Sequence, residues 1–157
     1  MQRAGLGYDV HRLEPGRRLV LGGVEIAHEL GLAGHSDADV LTHAVIDALL
    51  GAAGLGDIGQ HFPDQEPRWK DADSVELLRA VVGELAGAGW RVVNADLTVM
   101  LERPSIAPHR EAIRANLAAA LEVALYQVNV KATTGEGIGP VGRGEGAAAL
   151  AVASIER

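Results

Sequence analysis

Four side chains in this sequence have the chemistry of metal ligands and lie in segments that a fold could bring together. Asp9 and His11 lie near the start of the chain, His43 lies in a predicted helix, and Glu136 lies in a glycine-rich stretch. The chain contains no cysteine, so histidine and carboxylate groups must hold any metal. Two histidines and an aspartate suit zinc with an open fourth position, and a glutamate suits magnesium that phosphates also bind. A two-metal phosphate site is the favoured interpretation.

The segment 3–13 is predicted to form a β-strand because two kinds of residue alternate along it. One face would carry Leu6, Tyr8 and Val10, and the other would carry Gly5, Gly7, Asp9 and His11. Side chains at positions i and i+2 share a strand face, so Asp9 and His11 could bind one ion. The alternative is that this pair belongs to a solvated face beside the glycines.

The stretch 35–59 contains a predicted helix that begins after Asp37 or Asp39. Its apolar stripe at helical spacing comprises Val40, Leu41, Ala44, Val45, Ala48, Leu49 and Ala52. Asp39, His43 and Asp47 lie four residues apart along the border of this stripe. They form either part of a ligand site or an ordinary exposed helix edge.

Two loops carry further candidate residues. Residues 57–64 are predicted to form a turn-rich loop in which Asp57 either accepts a hydrogen bond from a substrate hydroxyl or stabilises a turn. Residues 133–146 combine threonine hydroxyls, Arg143 and Glu136 with many glycines, which suits a phosphate-binding loop or a flexible turn. The chain has neither a Walker A lysine nor a strand followed by G-x-G-x-x-G, so the usual nucleotide-binding motifs do not apply.

The remaining segments alternate between strand and helix patterns. The predicted elements are a hairpin over 18–26 with its turn at Gly22-Gly23, a helix from Asp73 to about Gly87, a strand over 91–101, a helix from Pro108 through Leu125, and strands over 127–134 and 147–155. The strand, helix and strand between 91 and 134 predict a crossover unit, whose two strands are parallel or separated by one neighbour.

The composition indicates a single domain and limits the possible partners. The chain has 157 residues, a net charge of −7, 48% hydrophobic residues and only 3% aromatic residues. A negatively charged chain without a run of lysine or arginine is not expected to bind nucleic acid. No segment has the length and apolarity of a membrane span and no signal-peptide pattern begins the chain, so a cytoplasmic protein is expected.

Three blocks of the sequence resemble one enzyme family. They are GYDVHRL at 7–13, GHSDADVLTHAVIDALLGAAGLGDIGQHFPD at 34–64 and NVKATTGEGIGPVGRGEG at 129–146, and they are similar to 2-C-methyl-D-erythritol 2,4-cyclodiphosphate synthases of the non-mevalonate isoprenoid pathway. The resemblance runs nearly end to end and implies one domain over residues 1–157. It implies an α/β fold of the two-layer α+β kind, with a four-stranded mixed sheet backed by helices. It also implies a homotrimer with active sites between subunits.

The resemblance also implies a reaction. The substrate would be 4-diphosphocytidyl-2-C-methyl-D-erythritol 2-phosphate, whose 2-phosphate attacks the β-phosphorus of its own diphosphate, forms the cyclodiphosphate and releases CMP. No protein nucleophile is required, which agrees with the absence of cysteine and of an evident Ser-His-Asp set.

The matched motifs imply a role for individual residues. The catalytic residues would be His35 and Thr134, which stabilise the transition state. The metal ligands would be Asp9, His11 and His43 for Zn²⁺, and Glu136 for Mg²⁺ or Mn²⁺. The substrate contacts would be Asp9, His11, His35, Ser36, Asp57, Ile58, Gly59, Phe62, Pro63, Asp64, Gln65, Glu66, Met100, Leu101, Glu102, Arg103, Pro104, Ser105, Ile106, Ala132, Thr133, Thr134, Gly135, Glu136 and Arg143.

Within this set, residues 57–59 would hold the erythritol hydroxyls, and residues 100–106 and 132–134 would form the cytidine pocket. Arg143 would meet a phosphate or an anion on the trimer axis. Two positions depart from the usual pattern of the family: Ser105 stands where many relatives have lysine, with Arg103 as a possible substitute, and Pro140 stands where an aromatic residue often closes the axial cavity.

Some alternatives stay open at the level of sequence. Asp47 is hypothesised to orient an imidazole or to cap a neighbouring segment. The same ligand set would also suit a metal-dependent phosphohydrolase. A non-catalytic trimeric module that binds isoprenoid or nucleotide phosphates is the third possibility.

Overall fold

The computed structural model describes all 157 residues and contains seven strands and five helices. The strands are β1 (Gln2–Pro15), β2 (Leu19–Leu21), β3 (Val24–Ile26), β4 (Leu30–Leu32), β5 (Arg91–Met100), β6 (Val128–Thr133) and β7 (Gly146–Glu156). The helices are α1 (Val40–Ala53), α2 (Ile58–His61), α3 (Ser74–Gly87), α4 (Arg110–Leu121) and α5 (Gly139–Gly142). Single 3₁₀ turns lie at Pro67–Trp69, Ala107–His109 and Leu125–Gln127.

A five-stranded mixed sheet with the order β4-β1-β7-β5-β6 forms one layer of this two-layer α+β fold. Its neighbouring strands are antiparallel except for β5 and β6, which are parallel. The expectation of four strands is wrong by one, because the short strand β4 pairs with the end of β1. The predicted crossover unit is confirmed, since α4 connects β5 to its parallel neighbour β6.

The helix α1 lies against β1 and β7 and also packs on α3. Every residue of its predicted apolar stripe is buried. Asp39 is the N-cap, and its side chain accepts a hydrogen bond from the backbone N–H of Thr42 at 3.0 Å. Gly54 ends the helix with a φ of +73°, a conformation that glycine adopts without steric cost.

Two glycines of β1 allow α1 to approach the sheet closely. A Cβ atom on Gly5 would lie 1.9 Å from the carbonyl oxygen of Ala48, and one on Gly7 would lie 1.8 Å from that of Ala44. The glycine face of β1 is therefore covered by the backbone of α1. The alternative of a solvated face beside these glycines is wrong.

The carboxylate of Asp39 joins the turn of the β2–β3 hairpin to the start of α1. It accepts hydrogen bonds from the N–H groups of Gly22 at 2.9 Å and Gly23 at 2.8 Å, and from the Thr42 hydroxyl at 2.8 Å. The side chain is fully buried, and this burial raises the pKa of Asp39. The prediction that Asp39 lies on the accessible border of the apolar stripe is wrong, because its side chain is buried and both of its oxygens accept hydrogen bonds from other residues of the chain.

Three predicted boundaries differ from the observed ones. The turn-rich loop at 57–64 contains the short helix α2, because the Asp57 side chain caps its first turn. The third helix begins at Arg110 rather than at Pro108. It ends at Leu121, because Glu122 adopts a left-handed conformation with a φ of +57°. Leu125 is therefore half-exposed in a 3₁₀ turn and does not extend the buried stripe of α4.

The face of the sheet opposite the helices carries exposed apolar side chains. They are Leu6, Tyr8 and Val10 on β1, and Leu150 and Val152 on β7. Leu6 pairs with Val152 and Tyr8 pairs with Leu150 in the strand register, so the side chains form one continuous patch. Such a patch is typical of a protein–protein contact.

None of the helices is both long and apolar enough to span a lipid bilayer.

The close approach of α1 to β1 predicts a large effect of a small substitution. We expect Gly7→Ala to lower the free energy of unfolding by about 3 kcal/mol, because the new methyl group would overlap the backbone of α1. Urea unfolding followed by circular dichroism measures this change. Gly83→Ala is the matched control, since a Cβ at this helical position meets no atom within 4 Å, and it should increase stability by about 0.5–1 kcal/mol. Equal stability of Gly7→Ala and the wild type would contradict the close contact.

Candidate functional site

Asp9, His11 and His43 converge on one point between β1 and α1. The Oδ2 atom of Asp9 lies 2.9 Å from Nε2 of His11 and 3.0 Å from Nδ1 of His43, and the two nitrogens are 3.3 Å apart. Ligand atoms about 3.3 Å apart are expected around a tetrahedral ion with bonds of about 2.0–2.1 Å. The observed separations therefore fit a zinc-sized ion after a small outward movement, and these three residues are the one such cluster in the chain.

The local fold explains why these three residues meet. Asp9 and His11 lie on the β1 face that carries Gly5 and Gly7, which is the face that α1 covers. His43 lies on α1 next to Ala44, whose carbonyl oxygen is in contact with Gly7. The two glycines thus bring the helix close enough for His43 to reach the ligands of the strand.

The charges of this cluster are strongly coupled. Burial alone would raise the pKa of Asp9, but hydrogen bonds from His11 and His43 outweigh burial and lower the pKa to about 2. Burial alone would lower the pKa of His11, whereas its hydrogen bond and attraction to Asp9 raise that pKa overall. Asp9 is therefore ionised at neutral pH, as a metal ligand must be.

A cavity of about 190 Å³, called here the first cavity, opens beside the cluster. Its lining comprises Asp9, His11, Gly34, His35, Ser36, His43, Ile58, Gly59, Phe62, Asp64, Trp69 and Leu77. Phe62 and Trp69 contact edge to face with ring centroids 5.0 Å apart and form one wall. The structure thus gathers the sequence-predicted residues His35, Ser36, Ile58, Gly59, Phe62 and Asp64 around the three metal-ligand candidates.

The loop that carries His35 and Ser36 is fixed by Arg17. The guanidinium group donates hydrogen bonds to the carbonyl oxygens of Leu32, Gly34 and Ser36, each at 3.0 Å. One side chain therefore binds three alternate residues of this loop, and His35 and Ser36 face the first cavity as a result. No motif in the sequence distinguishes Arg17 from the adjacent Arg18, whose partner is the exposed Glu25.

Asp47 and Asp57 both position the start of α2. Asp47 accepts a hydrogen bond from the N–H of Ile58 at 2.8 Å, and Asp57 accepts one from the N–H of Gln60 at 3.0 Å. Burial raises the pKa of Asp47. Of the two roles hypothesised for Asp47, the capping of a neighbouring segment is confirmed and the orientation of an imidazole is wrong, because no histidine contacts its carboxylate.

A second cavity of about 270 Å³ lies at the opposite edge of the sheet, between the end of β6 and the segment after β5. Its lining comprises Leu101, Glu102, Pro104, Ser105, Ile106, Ala107, Arg110, Ala132, Thr133 and Thr134. Most of the sequence-predicted cytidine contacts therefore surround one space. Arg103 and Met100 do not line it, whereas Arg110, which sequence reasoning missed, does and has a buried Nε without a hydrogen-bond partner.

The glycine-rich loop joins this second cavity. The hydroxyl of Thr134 donates a hydrogen bond to Oε1 of Glu136 at 3.1 Å, and the N–H of Gly135 donates one to Oε2 of Glu102 at 2.8 Å. Glu136 itself is exposed, as is Arg143, which pairs with Glu145 at 2.8 Å. Neither Thr134 nor Glu136 lines the first cavity, so a single chain does not bring the two halves of the predicted site together.

Several residues of the predicted set have other surroundings. Pro63, Gln65 and Glu66 lie in the segment between α2 and the turn at Pro67–Trp69, and Asp57 is exposed beside α2; none of these four lines either cavity. Sequence reasoning also missed Ser74, which lies at the first position of α3, is fully buried and contacts His43. Its only sequence signal is its place after the helix-capping Asp73, which predicts a helix start and not a contact.

The comparison with known proteins agrees with this geometry. The sequence model of the YgbB family matches residues 2–156. The 2-C-methyl-D-erythritol 2,4-cyclodiphosphate synthase of Syntrophomonas wolfei subsp. wolfei is 60% identical over 155 residues, which cover 99% of both chains. A solved structure of such a synthase in its CDP-bound form has a TM-score of 0.90 and 38% identity, and the match covers 98% of this chain and 100% of that chain. The bifunctional IspDF from Campylobacter jejuni has a TM-score of 0.95 and 41% identity, over 99% of this chain and 42% of that chain.

The lowered pKa of Asp9 predicts how the metal-free protein responds to acid. An aspartate with a folded-state pKa of about 2, below its ordinary value of 3.8, stabilises the fold above pH 3.8, and this contribution is lost as the pH falls through 2. We expect Asp9→Asn to abolish a contribution of about 2 kcal/mol. The difference in unfolding free energy between wild type and variant should therefore shrink as the pH falls from about 5 to about 2.

Urea unfolding at several pH values in the presence of a chelator measures this difference. Asp71→Asn is the matched control, because the Asp71 carboxylate is mostly exposed and lies 4.0 Å from its nearest cation, on Arg17. A difference between wild type and Asp9→Asn that stays constant with pH would contradict the coupling of Asp9 to the two histidines.

Proposed function

The chain belongs to the YgbB family of 2-C-methyl-D-erythritol 2,4-cyclodiphosphate synthases, and we propose from this membership how its residues carry out the reaction. The protein is an enzyme, a lyase, that converts 4-diphosphocytidyl-2-C-methyl-D-erythritol 2-phosphate into 2-C-methyl-D-erythritol 2,4-cyclodiphosphate and CMP in isoprenoid biosynthesis. The observation that carries the assignment of residues is the convergence of Asp9, His11 and His43 beside the first cavity.

These three residues are proposed to hold Zn²⁺ with a fourth position open to a substrate phosphate. Two imidazoles and one carboxylate are a common donor set of catalytic zinc sites, and the separations of their ligand atoms suit the ion. Glu136 is proposed to hold Mg²⁺ or Mn²⁺ together with the diphosphate. When bound, the two ions would draw negative charge from the phosphate oxygens and so favour phosphoryl transfer.

His35 and Ser36 are proposed to bind the phosphates beside the zinc ligands. Both line the first cavity on the loop that Arg17 holds in place. An imidazole and a hydroxyl can each donate a hydrogen bond to a phosphate oxygen. Because the loop is held before substrate arrives, these donors need little reorganisation in the transition state. Ile58 and Gly59 face the same cavity and, with the adjacent Asp57, are proposed to bind the erythritol hydroxyls.

The second cavity is proposed to bind the cytidine part of the substrate. The CDP-bound synthase structure supports a cytidine nucleotide as the ligand of this fold. The backbone of residues 100–106 and 132–134 would contact the base, and Thr134 would contact the diphosphate from the end of β6. Arg110 would supply the cation of this cavity, the role for which the sequence suggested Arg103 as a substitute for lysine.

A homotrimer with shared active sites is proposed because one chain holds the two halves of the site apart. The zinc ligands surround the first cavity, whereas Thr134 belongs to the second cavity and Glu136 lies next to it. The apolar patch on β1 and β7 gives each subunit a surface that association would bury. In such an assembly, the first cavity of one subunit would face the second cavity of its neighbour.

The chain then catalyses by positioning rather than by a covalent intermediate. An oxygen of the 2-phosphate attacks the β-phosphorus, the bond between that phosphorus and the oxygen that bridges it to the α-phosphorus breaks, and CMP leaves with the bridging oxygen. His35 and Thr134 would donate hydrogen bonds to the transferred phosphoryl group while it carries the developing charge. Holding both phosphates of one molecule in the two cavities supplies the required geometry.

Removal of a zinc ligand tests the assignment of the first cavity. We expect His43→Ala to lose stoichiometric zinc and to lower the rate of CMP release at least about 100-fold, because the remaining two ligands cannot hold the ion with the required geometry. Metal analysis of the purified protein and a phosphorus NMR assay of product formation measure the two effects. His28→Ala is the control, since His28 lines neither cavity. Full activity of His43→Ala would overturn the assignment.

The same assay separates cyclisation from hydrolysis by a phosphohydrolase. Cyclisation in water enriched in oxygen-18 leaves the heavy isotope out of both products, whereas hydrolysis adds one solvent oxygen to a phosphate. We expect no incorporation of oxygen-18. A substrate that stays intact with the metal-loaded protein would instead indicate a non-catalytic binding module.

Mixing two inactive variants tests whether the active site is shared. His43→Ala and Glu136→Ala should each be inactive, because each removes one half of every site. After subunit exchange at equal amounts, each mixed trimer has one site that combines an intact His43 with an intact Glu136 of a neighbour, so about one quarter of all sites are competent. We expect the activity to recover to about that fraction of the wild-type value. A mixture that stays inactive after exchange would contradict shared sites, and analytical ultracentrifugation checks the trimer itself.

A further inference from the structure

The nitrogens of His11 and His43 that point away from Asp9 each have a hydrogen-bond partner. Nδ1 of His11 lies 2.8 Å from the carbonyl oxygen of Ala33, and Nε2 of His43 lies 2.8 Å from the hydroxyl oxygen of Ser74. The partner of His11 is a backbone group, which fixes the proton on Nδ1 because a carbonyl only accepts. The partner of His43 is a hydroxyl, which can donate or accept a hydrogen bond. A further contact of this hydroxyl must therefore decide whether it donates to Nε2 or accepts from it.

Asp37 decides the direction of the Ser74 hydroxyl. The Ser74 hydroxyl donates to Oδ1 of Asp37, and the Ser74 N–H donates to Oδ2 at 3.0 Å. An ionised carboxylate only accepts hydrogen bonds, so the single proton of the hydroxyl points to Asp37. The Ser74 oxygen therefore accepts from Nε2–H of His43. Nδ1 of His43 lies 3.0 Å from Oδ2 of Asp9, and when a metal replaces the proton between these two atoms, the Nδ1 lone pair points at the metal.

Ser74 differs from the other hydroxyl near His43. The Ser36 oxygen lies 3.2 Å from Nε2 of His43, accepts from the N–H of Ala38 at the same distance, and lines the first cavity. Ser74 is 0% exposed and lines neither the first nor the second cavity, so it has no direct route to substrate. Of the two hydroxyls, Ser74 makes the shorter contact to His43 and is the one with a carboxylate partner.

We propose that Asp37 and Ser74 form a relay that orients His43 and fixes its tautomer, so that both are positioning residues of the metal centre. The relay runs from the Asp37 carboxylate through the Ser74 hydroxyl to Nε2 of His43, and it leaves Nδ1 directed at the metal position. This inference rests on the proposed zinc site. Partners of this kind raise the affinity of a metal site by holding a ligand in its binding orientation.

Two further hydrogen bonds of Asp37 explain how the relay reaches across the fold. The N–H of Asp37 donates to the carbonyl oxygen of Ala72 at 3.1 Å, and the Oδ1 atom of Asp37 also accepts from the N–H of Asp39 at 3.1 Å. Asp37 thus joins the segment before α3 to the start of α1. His43 on α1 and Ser74 on α3 are held at a fixed separation by this residue.

Zinc affinity measured by competition with a chromophoric chelator tests the relay without relying on turnover. We expect Ser74→Ala and Asp37→Asn to weaken zinc binding about 10–100-fold, because Nε2 of His43 loses its partner or its partner loses its direction. At zinc concentrations that saturate the variants, most of the wild-type rate of CMP release should return. A loss of turnover that saturating zinc does not restore would contradict a role through the metal.

Asp73→Ala is the matched control on the same helix. Asp73 caps α3 by accepting from the N–H of Val75 at 2.9 Å and does not contact His43. We expect this variant to lower the melting temperature while it leaves zinc affinity unchanged. If Asp73→Ala weakens zinc binding as much as Ser74→Ala, the effect arises from a displaced helix and the relay is overturned.

The measurements separate a failure of the relay from a failure of the proposed function. A wild-type protein that binds no zinc and releases no CMP would overturn the zinc site itself. A wild-type protein that binds zinc, together with Ser74→Ala and Asp37→Asn variants that bind it as tightly, would overturn only the relay. Circular dichroism spectra of every variant establish that the compared proteins are folded, and the nearly isosteric Asp37→Asn replaces Ser74→Ala if the latter does not fold.

Discussion

The approach of α1 to β1 is the contact on which the rest of the structure depends. Gly5 and Gly7 leave the strand without side chains where the carbonyl oxygens of Ala48 and Ala44 lie against it, and any Cβ would push the helix away. The same approach brings His43 to Asp9 and His11 on the strand. A methyl group that widened this gap would therefore both destabilise the fold and separate the metal ligands, so stability and function share one steric requirement.

A buried carboxylate, Asp39, and a half-buried one, Asp37, hold the surroundings of this contact. Asp39 ties the β2–β3 hairpin to the start of α1, and Asp37 ties the segment before α3 to the same place. Each uses both carboxylate oxygens as acceptors, so the cost of burying the group is offset by several hydrogen bonds. Arg17 adds a third fixed point by binding three carbonyl oxygens of the loop that carries His35 and Ser36. The site is thus largely organised before substrate binds.

A protein with a net charge of −7 acts here on a highly anionic substrate. The net charge of the protein does not attract an anionic substrate, so groups at the site must supply positive charge and hydrogen-bond donors. The proposed ions, His35, Arg110 and the donors of the two cavities have this role. The division of these groups between two parts of the chain explains why the proposed assembly and the proposed activity are linked, because a lone subunit would present only half of the charges to each substrate.

The sequence determined the individual elements, most of their boundaries and the candidate ligands. The signals for these features are local: helix and strand periodicity, the caps Asp39 and Asp73, and three family motifs each lie within a short stretch of the chain. It did not determine strand β4, the burial of Asp39, or the contacts of Ser74, Arg17 and Arg110, since each depends on residues far apart in the chain. The spacing of residues in the sequence predicts the face of a strand or helix on which a side chain lies. The distances between elements are set by the tertiary structure. Only the packing of α1 on β1 therefore decided that Asp9, His11 and His43 meet at one point.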